Sequence, residues 1–296
     1  VIVGPTAVGK TAVCIELAKK YDCSIISADS RQFFRQMNIG TAKPTPKEMH
    51  GVKHHFIDFL NVDEEMSAGR YEEMVLKTLT NLFQTGKMAI LTGGSGLYVQ
   101  AVCKGMSSMP VVPKEIREKL MLELETNGLQ HLLEELRIKD PDYYEYVDKN
   151  NFQRIVRALE MIRYTKKPFS SFRDRQSSAR DFQIIKIGLE LEREKLYKRI
   201  DERVDQMLEK GLLKEIEGLY PLRHLNSLQT VGYKEFFAYF DGERDLKEAT
   251  RLVKRNTRRY AKRQLTWFRK DEEIIWFRPG QVQDIMKHID QSVVSN

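Results

Sequence analysis

The octapeptide Gly4-Pro5-Thr6-Ala7-Val8-Gly9-Lys10-Thr11 fits the pattern G-x-x-x-x-G-K-[ST] without deviation. It follows the apolar run Val1 to Val3 and precedes a segment with helical periodicity, so the chain must pass from a buried strand through a tight loop into a helix. Chemistry explains the residue types. Glycine lets the backbone curl until successive N–H groups face one anion, and the helix adds its positive end. Lys10 brings a point charge and the Thr11 hydroxyl can ligate Mg2+. Gly4, Pro5, Thr6, Ala7, Val8, Gly9, Lys10 and Thr11 are therefore the candidate phosphate-binding residues, with Thr11 the candidate metal ligand. Such a loop recognises a polyphosphate and says nothing about what the phosphate carries.

Further apolar runs rich in β-branched residues occur at Cys23 to Ser27, Met88 to Leu91, Ile184 to Leu189 and Ile274 to Trp276, mostly separated by helical periodicity. The alternation predicts an α/β fold: a P-loop NTPase-like parallel sheet flanked by helices. Ser67 is placed to cap a helix running to Phe83, which Gly86 would close. From Pro110 to Arg180 the strand signal disappears. Helical, charged text takes over, with Pro113 and Pro141 at helix starts and Pro168 at a stop. The expected organisation is a core of residues 1–109 and 181–296 interrupted by a helical insertion, 110–180. The polar segment Ser170 to Asp181 would return the chain to the sheet.

The chain carries 49 Lys and Arg against 42 Asp and Glu, a net charge of +7 that suits a polyanionic partner. Nine basic residues and no acidic one lie between Arg251 and Lys270. On an ideal helix Val253, Tyr260, Ala261, Trp267 and Phe268 share one arc and the basic residues take the other side, as either a solvated surface helix or a face for RNA phosphates. Cys14, Cys23 and Cys103 form no C-x-x-C pair and read as reduced packing thiols. His50, His54 and His55 lack flanking residues at metal-site spacing and read as structural or substrate-facing. With no membrane-length apolar run and no leader pattern at the start, a soluble, cytoplasmic protein is expected.

In an ATPase or GTPase a second apolar strand ends in an aspartate that helps hold the metal. Here the obvious strand ends in Thr92-Gly93-Gly94. The strand before it ends in Ala28-Asp29-Ser30, and the carboxyl ends of parallel strands meet at the ligand crevice. Asp29 is thus a candidate proton acceptor or metal-orienting group, or a plain turn cap.

The words GPTAVGKT, SADSRQFFRQMNIGTAKP (Ser27 to Pro44), TGGSGLY (Thr92 to Tyr98), FQRIVRALE (Phe152 to Glu160), VGYKE (Val231 to Glu235) and AKRQLTWFR (Ala261 to Arg269) occur in order over nearly the whole chain. Together they resemble the tRNA dimethylallyltransferase family. The resemblance implies transfer of a dimethylallyl group from dimethylallyl diphosphate to N6 of the adenosine just 3′ of the anticodon, with Mg2+ and release of diphosphate. It implies catalytic roles for Asp29, Lys10, Thr11 and Arg203, with the octapeptide holding the diphosphate. It also implies tRNA contacts at Asp29, Ser30, Arg31 and Gln32, at Ser95 and Arg117, and at Gln153, Arg154, Ile155, Val156 and Arg157. A further tRNA-facing stretch would be Gln229, Thr230, Val231, Gly232, Tyr233 and Lys234.

Ser95 stands where threonine is common in the family, and Phe34 where tyrosine is usual. Arg154 and Arg157 can share a helix face toward RNA, with pairing to Glu160 as the alternative. The insertion would close on the anticodon stem-loop of a tRNA partner, and a monomer is the default. No Cys/His pairs follow Trp276, so the bacterial type is implied. Two rival classes share the phosphate loop: a small-molecule or nucleoside kinase, which would turn over ATP, and a non-catalytic RNA-binding module, which would consume no prenyl donor.

Overall fold

The computed structural model describes residues 1–86, 88–106, 109–172 and 179–294. Six strands form one parallel sheet among these residues: β1 (Ile2–Val3), β2 (Ile25–Ser27), β3 (His54–His55), β4 (Ile90–Gly93), β5 (Ile187–Leu189) and β6 (Ile275–Phe277), in the order β3-β2-β4-β1-β5-β6. The helices are α1 (Lys10–Lys20), α2 (Pro46–Met49), α3 (Ala68–Thr85), α4 (Gly96–Lys104), α5 (Lys114–Lys139), α6 (Pro141–Tyr146), α7 (Phe152–Thr165), α8 (Arg193–Glu209), α9 (Leu212–Leu219), α10 (Lys234–Phe240), α11 (Leu246–Phe268) and α12 (Val282–Val294). None of them is long and apolar enough to cross a membrane.

The period-two geometry of a strand decides the layers. Ile2, Ile25, Ile90, Ile187 and Leu189 face one side, against Val13 and Leu17 of α1, Leu196 and Ile200 of α8, and Ile285 of α12. Val3, Ile26 and Leu91 face the other, against Tyr71 and Val75 of α3, Val102 of α4, and Phe236 of α10. Both faces are covered, which is why the strands read as continuous apolar runs. β1, β2 and β5 are shorter than their runs, and β4 and β6 are shifted toward the C-terminus. β5 begins at Ile187 where Ile184 was expected, and β4 spans Ile90–Gly93 where Met88 to Leu91 was expected, because pairing lasts only while a neighbour stays in register: Ile25 with Ile90, Ile2 with Thr92. The two-residue strand at His54–His55 had no apolar run to announce it; it pairs with Ile25 and Ile26 at the sheet edge. No cluster of metal-ligating side chains occurs among the described residues.

The chain divides into two compact units, Val1–Lys104 with Arg180–Asn296, and Gly105–Ala179. The expected boundaries were 109/110 and 180/181. Residues 173–178 of the expected return loop lie outside the described residues; Ser170–Phe172 before them forms a single 3-10 turn. The second unit is helical. Its core is built from Leu120, Leu132 and Leu136 of α5, Tyr143 of α6, and Ile155, Val156, Leu159 and Ile162 of α7. Pro141 takes the first turn of α6, which Asp140 caps by accepting from Tyr143 N–H. Gly128, at φ 77°, interrupts α5.

Caps bound the helices as their sequences indicate. Ser67 Oγ accepts from Arg70 N–H at 3.2 Å to start α3, a contact worth about 1 kcal/mol. On α11, Val253, Ala261 and Phe268 are buried as expected, with Leu252 and Gln264 beside them. Trp267 is not buried: it lies at the edge of the arc and is 39% exposed, with its indole against Gly96. The basic face is also less positive than its composition. Lys254 pairs with Asp205, Arg258 with Asp201, Arg251 with Glu248 and Arg269 with Glu190. Arg255, Arg259, Lys262, Arg263 and Lys270 make no ion pair among the described residues.

At the carboxyl end of the sheet β2 and β4 come unusually close. A Cβ on Gly93 would lie 2.3 Å from the Ala28 carbonyl oxygen, so backbone would have to move. Gly93→Ala is expected to lower stability by about 1–3 kcal/mol, read as a shift in the urea unfolding midpoint with an unchanged slope.

Candidate functional site

The phosphate loop joins β1 to α1 in the conformation its glycines permit. Gly4 has φ 148° and Gly9 φ 110°, and Ala7 is also left-handed at φ 63°. A Cβ on Gly4 would lie 2.5 Å from the Leu189 carbonyl oxygen, so Gly4 is required by space as well as by dihedral. The first-turn N–H groups of α1 lack intrahelical acceptors and form an anion site with the positive helix end. Lys10 folds back over this loop, its Nζ donating to the Gly4 and Pro5 carbonyls at 2.9 Å each. Burial of this ammonium pushes its pKa down to about 8, against the opposing pull of Asp29 and with help from Arg203.

Three strand ends bring the rest together. Ala28 N–H donates to the Thr92 carbonyl at 2.7 Å and Ser95 N–H to the Ala28 carbonyl at 3.2 Å, which sets the Asp29 turn beside the Gly93-Gly94 turn. Asp29 Oδ1 accepts from Arg31 N–H at 3.0 Å, so it does cap a turn, and its carboxylate also lines the cavity over the phosphate loop. Ser30 and Ser95 are joined: Ser95 Oγ accepts from Ser30 N–H at 3.0 Å and lies 3.1 Å from Ser30 Oγ. Arg203 on α8 reaches Thr6 Oγ1 at 3.3 Å, with its pKa lowered by burial against the pull of Asp29. An arginine remains charged there nonetheless.

Two cavities meet at these groups. One, of about 220 Å³, is lined by Lys10, Thr11, Asp29, Gln32, His54, Thr92 and Arg203, among others. The second, of about 110 Å³, has apolar walls from Ile200, Val204, Met207, Leu212 and Val253. They share Thr6, Ala7, Asp29, Thr41, Arg203 and Tyr260. A larger cavity of about 480 Å³ beside Phe83, Phe182 and Val293 holds none of the phosphate-binding groups, so size does not mark the site.

Several expected contacts are occupied within the protein. Gln32 Nε2 donates to the Thr41 and Ala42 carbonyls at 3.3 and 3.4 Å, and Arg31 Nη1 donates to the Ser227 carbonyl at 2.7 Å. Of the stretch 229–234, Gln229 and Lys234 are exposed, Thr230 and Val231 line the apolar cavity, and Gly232 and Tyr233 are buried. In the helical unit Gln153 and Arg154 are exposed on α7. Ile155 and Val156 are 0% exposed, so their side chains build the core of the helical unit and do not face a nucleic acid, which corrects the expected contact. Arg117 and Arg157 both bond the buried Glu160, at 2.7 and 3.0 Å, and keep their outer edges in solvent. Phe34 is buried and packs in the core.

Gln264 was not anticipated as a site residue. Its Oε1 accepts from Thr6 N–H and its Nε2 donates to the Gly94 carbonyl, both at 2.9 Å, tying the phosphate loop to the β4 turn. A Cβ on Gly94 would lie 2.1 Å from that amide nitrogen. A glutamine on the apolar arc of α11 was the signal available for it.

The sequence model of the family described as IPP transferase matches residues 32–271. The tRNA dimethylallyltransferase 2 of Parabacteroides distasonis is 47% identical over 99% of this chain and 98% of its own length. The tRNA dimethylallyltransferase 1 of Bacteroides fragilis is 46% identical over 99% and 97%. Among solved structures, the tRNA isopentenylpyrophosphate transferase of Bacillus halodurans superposes with a TM-score of 0.74 at 38% identity, covering 99% of this chain and 96% of that one. A eukaryotic dimethylallyltransferase acting on tRNA gives a TM-score of 0.79 at 28% identity, covering 94% and 73%.

An anion entering the loop selects protonated Lys10, so its affinity should hold below the Lys10 pKa and fall as the pH rises past about 8. The limiting slope is about tenfold per pH unit. Calorimetric titration with inorganic diphosphate should show this in the intact protein. In Lys10→Arg the Lys10-dependent fall should vanish.

Proposed function

This chain belongs to the IPP transferase family, and on that premise we infer that it transfers the dimethylallyl group of dimethylallyl diphosphate to tRNA, at N6 of the adenosine just 3′ of the anticodon. The observation that carries this reading is the pair of adjoining cavities. A phosphate site alone would suit any nucleotide; a phosphate site opening past Asp29 and Arg203 onto Ile200, Val204, Met207, Leu212 and Val253 suits a diphosphate joined to a short branched hydrocarbon. β4 also ends without the aspartate that a nucleotide hydrolase uses, which leaves the donor's diphosphate as the natural occupant of the loop.

In this reading the loop N–H groups, Lys10 and Arg203 bind the diphosphate and neutralise the charge that builds on it as the C1–O bond breaks. The adenine N6 forms the new N–C bond, and Asp29 takes the N6 proton. The chemistry of the donor set fits Mg2+. Thr11 is exposed toward the cavity and Asp29 lines the same space, which gives the one or two protein ligands such an ion takes beside substrate phosphates. When bound, Mg2+ would add further charge neutralisation at the leaving diphosphate. Gln264 keeps the loop in place while Lys10 turns from the Gly4 and Pro5 carbonyls to its ligand.

The exposed row Arg259, Lys262 and Arg263 on α11, beside Tyr260 in the cavity wall, suits tRNA phosphates. In the helical unit Arg117, Arg154 and Arg157 suit the same partner. Modification of one base also requires that base to leave its stack, and a cavity rimmed by Tyr260 accommodates a flipped purine. A monomer working in the cytoplasm, where tRNA is found, completes the proposal.

The direct test is incorporation of radiolabel from dimethylallyl diphosphate into unmodified tRNA. Label is expected with Mg2+ and should be lost on chelation. Asp29→Ala should cost about 10²–10⁴-fold in kcat, and Lys10→Ala about 10²–10³-fold. No label from the intact protein, together with ATP consumption that needs no tRNA, would replace this reading with a kinase.

A further inference from the structure

Glu215 lies outside both cavities yet bonds two residues, Gly40 and Tyr233, that line the apolar one. It projects from α9, whose Leu212 and Ile216 are fully buried and anchor the helix. Its Oε2 accepts from the N–H groups of Asn38 and Ile39 at 2.9 and 2.7 Å. Its Oε1 accepts from Gly40 N–H at 3.0 Å and from the Tyr233 hydroxyl at 2.7 Å. Three consecutive backbone N–H groups converging on one carboxylate form a nest closed by a fixed internal anion. The fourth donor ties in the one tyrosine ring that seats against this segment. A Cβ on Gly40 would lie 2.6 Å from that ring, so the contact admits glycine alone. Burial and Glu215 both raise the Tyr233 pKa far above its ordinary value, so the phenol stays a donor.

The segment held in this way runs into the cavity wall at Gly40 and the residue after it, Thr41. Thr41 lines both cavities, and Gly40 and Tyr233 line the apolar one. We propose that Glu215 is a positioning residue that sets the fit of the prenyl donor by holding residues 38–40 and the Tyr233 hydroxyl in register; the assignment rests on the transferase reading above. An amide cannot replace it. Turned one way, a glutamine would point its NH2 at the Asn38 and Ile39 N–H groups; turned the other, at the Gly40 N–H, with only the Tyr233 hydroxyl able to accept from it, so at least one backbone N–H loses its acceptor either way.

Hydrogen exchange and donor binding test this in Glu215→Gln, Tyr233→Phe and the double variant. In Glu215→Gln the amides of residues 38–40 should exchange at least about tenfold faster while β1 and β4 keep their protection. Calorimetric affinity for dimethylallyl diphosphate should fall by about tenfold, with affinity for inorganic diphosphate little changed, because the phosphate loop is untouched. Tyr233→Phe should lose less, and the double variant no more than Glu215→Gln alone. Unchanged exchange at 38–40, exchange that quickens uniformly along the chain, or equal losses for both diphosphates would each overturn the proposal. A turnover assay of the intact protein separates the two readings: no prenyl transfer sinks the transferase, whereas full transfer with an unaltered donor affinity in Glu215→Gln sinks only the role of Glu215.

Discussion

Backbone pairing between the ends of β2 and β4 sets the distances on which the site depends. Ala28 exchanges hydrogen bonds with Thr92 and Ser95 on either side of Gly93, where no side chain fits. Because β4 is also the neighbour of β1, the same register sets the Asp29 turn against the phosphate loop. Two segments, the phosphate loop and the Asp29 turn, thereby deliver a lysine, a row of N–H groups and a carboxylate into one cavity. Backbone contacts of this kind hold a site more tightly than side chains can, because no rotamer freedom intervenes.

The charges gathered there are costly to bury and are managed by each other. Lys10 and Arg203 repel, both are disfavoured by desolvation, and Asp29 is the anion that offsets them. Lys10 donates to two loop carbonyls, which ties its ammonium to the backbone of the loop. Gln264 and Glu215 serve this arrangement from opposite sides: a neutral amide bridges the loop to β4, and a carboxylate collects the donors of residues 38–40.

Carboxylates also pair with many of the basic side chains within each unit. Asp201 and Asp205 of α8 neutralise Arg258 and Lys254 of α11, and Glu160 takes one edge of both Arg117 and Arg157. A guanidinium held on one edge presents the other in a fixed orientation, which favours phosphate recognition over loose attraction. The net positive charge of the chain thus overstates how many basic groups lack a carboxylate partner. Arg259, Lys262 and Arg263 are exposed and have no carboxylate partner among the described residues.

Local chemistry was legible in the sequence. The octapeptide specifies its own turn because its glycines and its lysine act within eight residues, the cap at Ser67 acts within three, and the alternation of apolar runs with helical text gives the α/β class. The six ordered words carry the resemblance to the tRNA dimethylallyltransferase family, which the family match and the relatives bear out. What the sequence could not carry were interactions between distant segments. The edge strand at His54–His55 has no apolar signature, since one paired neighbour at Ile25 and Ile26 suffices to hold it. Strand ends depended on register, the burial of Ile155 and Val156 on which side of α7 the helical unit packs, and the pairing of the basic helix on where α8 lies. Gln264 and Glu215 are polar residues in unremarkable helical contexts; only the tertiary fold, by carrying α11 to the phosphate loop and α9 to residues 38–40, turns their hydrogen-bonding capacity into the scaffolding of a site.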